Sequence, residues 1–184
     1  MEHYLQLKKS NCKNCYKCIR NCPVKSIRFS DNQANIVNNE CILCGNCFIV
    51  CPQNAKLVRN DLPAARALIA SDAPVYASIT PSFIANFSLP DFGKMEAVLK
   101  QLGFAGAEET AIGATLVKKE YEKMISSGRH SIILSSCCPT VNTMIEKYYP
   151  DVLPYLAPVL SPMQAHCKLI KEQHPEAKTI FIGP

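Results

Sequence analysis

The 184-residue chain is 48% hydrophobic and carries 20 Lys and Arg against 15 Asp and Glu, a formal charge of +5. The basic residues, among them Lys8, Lys9, Lys13, Lys17, Lys118 and Lys119, are scattered without an aromatic-interleaved stripe, which speaks against nucleic-acid binding. No apolar run approaches the roughly 20 residues that span a bilayer, and the start lacks the apolar core of a signal peptide, so the eleven cysteines point to a reducing, cytoplasmic compartment and not to disulfides.

Residues 4–7 alternate in polarity and are predicted to form a short strand, pairing with 56–59 as the two ends of one small sheet. Between them one spacing occurs twice: Cys12-x-x-Cys15-x-x-Cys18-x-x-x-Cys22-Pro23, then Cys41-x-x-Cys44-x-x-Cys47-x-x-x-Cys51-Pro52. Two residues between thiols let a tight loop wrap one corner of an iron-sulfur cubane, while the Cys before each Pro lies too far along and reaches the other cluster. The spacing therefore predicts two 4Fe-4S clusters, one held by Cys12, Cys15, Cys18 and Cys51, the other by Cys41, Cys44, Cys47 and Cys22. Each Cys of the second run stands 29 positions after its counterpart, 41 against 12 and 51 against 22. An internal duplication with a pseudo-twofold axis follows, with clusters close enough for fast electron exchange. Zinc sites and a disulfide framework are the competing readings, but tandem four-Cys runs that both end in Cys-Pro fit neither zinc-finger nor secreted mini-protein spacing. Each oxidised cluster with its thiolates carries about −2, which brings the loaded protein close to neutral. Short helices are expected at 17–21 and 46–50, and a hairpin of 26–29 with 34–37 around Asp31-Asn32.

Asp61-Leu62-Pro63 places an acid at a helix cap and Pro in the first turn, and the helix runs to Ala70 before Ser71-Asp72-Ala73-Pro74. Strands then alternate with helices: strand 75–79, helix 91–102 closed by Gly103, a short strand near Ala107, helix 111–127 closed by Gly128, strand 131–134 and helix 140–148. Ser161-Pro162-Met163-Gln164 forms a capping box that opens a helix to about Gln173. Residues 178–182 read as a buried parallel strand leading into a turn. The predicted fold is an α+β two-cluster domain over 1–60, a linker helix over 61–73, and an α/β domain with a parallel sheet over 74–184. An open sheet places its ligands at the carboxyl ends of its strands, so part of a site is expected beyond Pro184.

Ser135-Ser136-Cys137-Cys138-Pro139 follows the predicted strand 131–134 and precedes a helix, with Pro139 at its first position. Both thiols then sit at a helix N-terminus, whose dipole favours the thiolate, the form that ligates iron or passes protons. On spacing alone a pair of core cysteines, a vicinal disulfide and a functional pair all remain open. Cys167, beside His166 in the capped helix, reads as core, and His3, His130 and His174 as surface residues.

The segment from Cys12 to Pro52 resembles the bacterial two-cluster ferredoxins, and Val75 to Pro184 resembles the first part of the catalytic domain of iron-only (FeFe) hydrogenases. The second resemblance rests on Ser136-Cys137-Cys138-Pro139, which is similar to that family's first signature, with Thr80-Pro81-Ser82, the stretch 93–104, Gly113-Ala114, Ser161-Pro162 and Ile182-Gly183-Pro184. It implies that Cys138 ligates the cubane half of a six-iron active-site cluster in the full-length protein, and that Cys137 is the first proton donor and acceptor. Pro81 and Ser82 would line the diiron pocket. The chain departs from the family at Val141, Met163 and Gly183, where Trp, Gln and Met are usual, and Tyr121 and Met124 stand at relay positions that active enzymes fill with glutamates. What the resemblance implies is an N-terminal part of a hydrogenase-like protein that relays electrons to a hydrogen-converting site in an anaerobic setting and is inactive by itself. A hydrogen or redox sensor with slow turnover, and an electron carrier or cluster-assembly protein without a diiron site, are the alternatives. The partners implied are a redox protein or a further cluster domain, and a downstream signalling domain.

Overall fold

The computed structural model describes residues 4–8, 11–89, 91–129 and 131–183, so the readings of His3, Lys9, His130 and Pro184 lie outside the described residues. In chain order the first elements are β1 (Leu5–Leu7), α1 (Lys17–Asn21), β2 (Ile27–Ser30), β3 (Gln33–Ile36), α2 (Asn46–Ile49), β4 (Lys56–Val58) and α3 (Leu62–Ile69). There follow β5 (Val75–Ile79), α4 (Phe83–Asn86), α5 (Phe92–Gln101), β6 (Gly106–Glu109), α6 (Ala111–Ser126), α7 (Pro139–Tyr148), a 3-10 turn (Pro150–Tyr155), α8 (Pro162–Gln173) and β7 (Lys178–Ile182). They gather into two compact units, residues 1–60 with 138–154, and residues 61–137 with 155–184.

In the first unit β1 pairs antiparallel with β4, Leu5 opposite Val58, and the Arg59 amide donates to the Tyr4 carbonyl at 2.9 Å. β2 and β3 form the expected hairpin, and Asp31 and Asn32 both take left-handed φ, the turn whose twist suits two flanking strands. The duplication is written in the backbone. Left-handed φ at Asn14, Tyr16 and Lys25 recurs at Leu43, Gly45 and Asn54, each 29 positions on. Five of these six residues have a side chain and pay on the order of 1–2 kcal/mol for that conformation, so the tight turns that aim the thiols override local preference. Asn46 ties the two helices together by donating from Nδ2 to the Asn21 carbonyl at 2.6 Å. The core around them is small and mixes Leu5, Ile27 and Ala34 with the thiols of Cys18, Cys22, Cys41 and Cys47. A unit this size has little apolar surface to bury and is marginal on that account.

Helix α7 belongs to this unit. Lys147 Nζ donates to the carbonyls of Cys41 at 2.8 Å and Asn38 at 3.3 Å, and the Tyr148 hydroxyl donates to the Glu40 carbonyl at 2.6 Å. Those contacts join residues about 100 apart in sequence, which a division of the chain at a single boundary near residue 60 leaves out.

In the second unit β6, β5 and β7 form a parallel sheet in that order. Central β5 is buried over most of its length, and Val75, Ala77 and Ile79 pack with Phe83, Met95, Leu99, Phe104 and Ala107. The capping box at Ser161 and Gln164 is present, and Asp91 caps α5 by accepting from the Lys94 amide at 2.9 Å. Gly113 lets α6 approach α8 closely, because a Cβ there would lie 2.2 Å from the Pro162 carbonyl oxygen.

Four expectations change. Asp61 stands at the start of α3, yet its side chain makes no cap bond, because its backbone is helical where a cap is extended. Residues 131–134 form no strand: Ile132 is 53% exposed, and Leu134 makes a single parallel bridge to Leu156 away from the sheet. β7 is parallel to β5 as expected but is not buried, for it pairs on one side only among the described residues and leaves Phe181 37% exposed. His174, read as a surface residue, is half-buried and stacks on Tyr76 with ring centroids 4.3 Å apart.

Candidate metal centres

The eight cysteines of the duplicated runs line two cavities. Cys12, Cys15, Cys18 and Cys51 line the first, together with Leu7, Tyr16, Ala34 and Lys56. Cys22, Cys41, Cys44 and Cys47 line the second, together with Leu5, Ile27 and Ile36. Cys22 and Cys51 thus each stand in the cavity of the opposite run, because the chain leaves α1 and α2 by a turn at Pro23 or Pro52 that carries the preceding thiol across.

Backbone amides point at the sulfurs. Ser26 N–H donates to Cys22 Sγ and Ala55 N–H to Cys51 Sγ, both at 3.3 Å and at equivalent places in the two halves, and Leu43 N–H donates to Cys41 Sγ at 3.3 Å. Such donors favour the thiolate. Amide bonds from Ala34 chiefly, then Asn14, hold the Cys12 thiol below its ordinary pKa, with the charge of Lys56 acting the same way against some desolvation. Burial pushes the Cys18 thiol up and the Cys47 thiol up to about 11, with Lys56 opposing both. Among the described residues no three His, Cys, Asp or Glu side chains close on a point as ligands of one metal ion would. Soft thiolates set around a cavity, with amide donors to sulfur, are the donor set that a 4Fe-4S cluster takes.

Cys137 is exposed and Cys138 half-buried. Cys138 is the N-cap residue of α7, in extended conformation, with Pro139 at the first helical position as predicted. Cys137 Sγ accepts from Ser135 Oγ at 3.2 Å. Ser135 Oγ in turn lies 3.3 Å from the hydroxyl of Tyr121 on α6, which donates to it and accepts from the Ser136 amide at 3.2 Å. Tyr121 therefore continues a hydrogen-bonded line from Cys137, through hydroxyls and not carboxylates. Ser82 lies at the carboxyl end of β5 and shares a 2.6 Å hydrogen bond with Thr80. Both line a surface depression with Phe83, Asn86, Phe87, Ile182 and Gly183. No thiol lines that depression and neither does Pro81, so it offers no iron ligand as it stands.

Sequence reasoning passed over a buried polar group in the second unit. Ser78 and His166 are both 0% exposed. His166 Nδ1 lies 2.8 Å from Ser78 Oγ, which lies 2.8 Å from Thr110 Oγ1, and His166 Nε2 lies 3.1 Å from Glu108 Oε2. The order of a serine, a histidine and a carboxylate suggests hydrolytic chemistry, but burial leaves the serine no access to substrate. The bonds tie α8 to β5, β6 and the start of α6. A polar Ser78 in an otherwise apolar strand was the available signal. Cys167, next to His166, is half-buried.

The family described as iron only hydrogenase large subunit, C-terminal domain, matches residues 73–184, and the 4Fe-4S dicluster domain matches residues 4–59. The chain is 29% identical over 152 residues to the NADP-reducing hydrogenase subunit HndD of Solidesulfovibrio fructosivorans, covering 72% of this chain and 26% of that protein. It is 31% identical over 124 residues to iron hydrogenase 1 of Clostridium pasteurianum, covering 64% and 22%. The chain thus spans about a quarter of the length of the curated relatives it matches. A solved FeFe hydrogenase structure aligns with 67% of this chain and 38% of its own at 19% identity and a TM-score of 0.49. Among the described residues no helix is long and apolar enough to cross a membrane. With its C-terminal three-fifths matched by the hydrogenase domain and the residues before them by an iron-sulfur domain, the chain belongs to the iron-only hydrogenase large-subunit family and carries a 4Fe-4S domain ahead of its hydrogenase-like part.

Proposed function

We propose that residues 4–59 bind two 4Fe-4S clusters and pass single electrons between a redox partner, or a further cluster domain, and a hydrogen-converting site in the whole protein. The observation that carries this reading is the pair of cavities, each lined by four thiols with one exchanged between the two runs. A bound 4Fe-4S cluster supplies one-electron chemistry at a potential set by charge, hydrogen bonds to sulfur and solvent exposure. The chain's residues set those terms. Ser26, Leu43 and Ala55 donate amide bonds to sulfur. Leu5 and Ile27 keep water from the second cavity, and the exposed thiols of Cys15 and Cys44 give each site a side from which an electron can enter or leave.

Cys137 and Cys138 are assigned to the hydrogen site, Cys138 as an iron ligand and Cys137 as the group that exchanges a proton there. Ser135 holds Cys137 by a hydrogen bond and Tyr121 holds Ser135. A proton on this line must cross hydroxyls and not carboxylates. That favours the second reading, a hydrogen or redox sensor of the same descent with slow turnover and a signalling partner.

Anaerobic reconstitution with iron and sulfide tests the relay. About eight irons and eight sulfides per chain are expected, as two cubanes require. About half that content would overturn the assignment.

A further inference from the structure

The duplication places Ile27 and Lys56 at equivalent positions, each four residues after its Cys-Pro, and both are buried, at 4% and 2% exposure. Ile27 lines the second cavity and Lys56 the first. Where one site has a methyl-bearing wall, its twin has an ammonium. Lys56 Nζ donates to the Ala34 carbonyl at 2.6 Å, which fixes the charge beside the strand whose Ala34 amide bonds Cys12. A buried ammonium is costly unless negative charge faces it. The negative charge here is that of the thiolates of Cys12, Cys15, Cys18 and Cys51, whose cavity Lys56 lines, whereas it does not line the second.

On the two-cluster reading above, we infer that Lys56 makes the two sites unequal: its buried ammonium stabilises the negative charge that one electron adds at the Cys12, Cys15, Cys18 and Cys51 site, so that site is the easier of the two to reduce. Neighbouring charge and burial are established determinants of cluster potential. The other cations nearby act more weakly. Lys13 and Lys17 line the first cavity but are exposed, and Lys147, near the second, is exposed and bonded to the carbonyls of Asn38 and Cys41. Solvent and salt screen exposed charges, whereas a buried one acts through a lower dielectric. An electron arriving at either site would settle at the first. Lys56 breaks no bond and gains or loses no proton in this role.

The test is a reduction titration of the reconstituted 184-residue chain followed by paramagnetic resonance, with dithionite as electron donor. The two signals are first assigned with Cys15→Ser and Cys44→Ser, one exposed thiol from each set. Lys56→Met, apolar like Ile27 at the sister position, should lower the reduced-to-oxidised ratio of the first site at fixed potential at least tenfold, which is about 59 mV for a one-electron couple. The second site should move less. Lys56→Arg, which keeps the charge, should stay nearer the unmodified chain than Lys56→Met does. Should Lys56→Met fail to hold eight irons, Lys56→Gln gives the same reading with a polar side chain. Eight irons with unmoved potentials, an equal shift of both sites, or an arginine variant that shifts as far as the methionine one overturns the inference alone. Fewer than eight irons in the unmodified chain overturns the two-cluster reading and the inference with it.

Discussion

Two parts of this chain bring cysteine thiols to the start of a helix, and they do it by opposite means. Ahead of α1 and α2 the chain turns through left-handed residues, with Tyr16 and Gly45 as the N-cap positions, and the preceding thiols curl back around a cavity. Ahead of α7 the chain arrives extended at Cys138, and its neighbour Cys137 is exposed and held by hydroxyls. A cage built from one short loop needs backbone strain at fixed points, and the duplicated points show that strain twice. A pair of adjacent thiols needs none, and encloses nothing.

The difference is sharpest in the iron content of the reconstituted 184-residue chain. There Cys22→Ser should remove the cluster of the Cys41, Cys44 and Cys47 set and roughly halve the iron, whereas Cys138→Ser should leave iron per chain unchanged. Loss of the Cys12 signal in the first variant would show that the exchange of thiols is wrong. The next effect falls on stability. Gly113→Ala puts a Cβ within 2.2 Å of the Pro162 carbonyl and 2.7 Å of His166 Cβ. Overpacking of that kind costs about 1–3 kcal/mol, and thermal unfolding should report it in the second unit while cluster absorbance is retained.

Smaller still is the cost of the left-handed turns. Gly45 has open space around its Cβ position at φ +74, so Gly45→Ala should cost only the backbone strain of about 1–2 kcal/mol. Tyr16→Gly should recover strain at the equivalent turn but lose the contact with Phe29, 5.1 Å between ring centroids, so its denaturation midpoint should move less than that of Gly45→Ala. The smallest effect belongs to Tyr121→Phe, which removes one hydroxyl from the line behind Cys137. About 1 kcal/mol or less of stability is expected, with iron and sulfide content unchanged and any hydrogen turnover of the whole protein slowed. Turnover equal to that of the unmodified protein would take Tyr121 out of the proton path.

What could be read in the sequence follows the same division. The cysteine runs, the hairpin at Asp31-Asn32 and the capping box at Ser161 are local chemistry, where a few neighbouring residues determine the backbone. Residues 131–134 have the composition of a strand, but a strand needs a partner, and their one bridge leads to Leu156. β7 reads as buried because its apolar run does not reveal how many neighbours it has. The placing of α7 with the first unit, through Lys147 and Tyr148, joins residues far apart in sequence and leaves no local mark. Lys56 is hidden differently: a lysine in a short strand reads as a solvated residue, and only its burial shows otherwise.

The exchange of Cys22 and Cys51 between the two cavities bears on how the protein is made. A ribosome that has just released Cys18 has supplied three of the four thiols of the first cavity, and the fourth follows about 30 residues later. At about 5–20 residues per second this delay is on the order of 2–7 s. During it the first loop is an open trap for whatever soft metal is at hand. The second loop has no such interval, since Cys22 is already present when Cys47 emerges. Loading should therefore run against chain order, with the later loop completed first and the earlier one sealed only as Cys51 folds back across it.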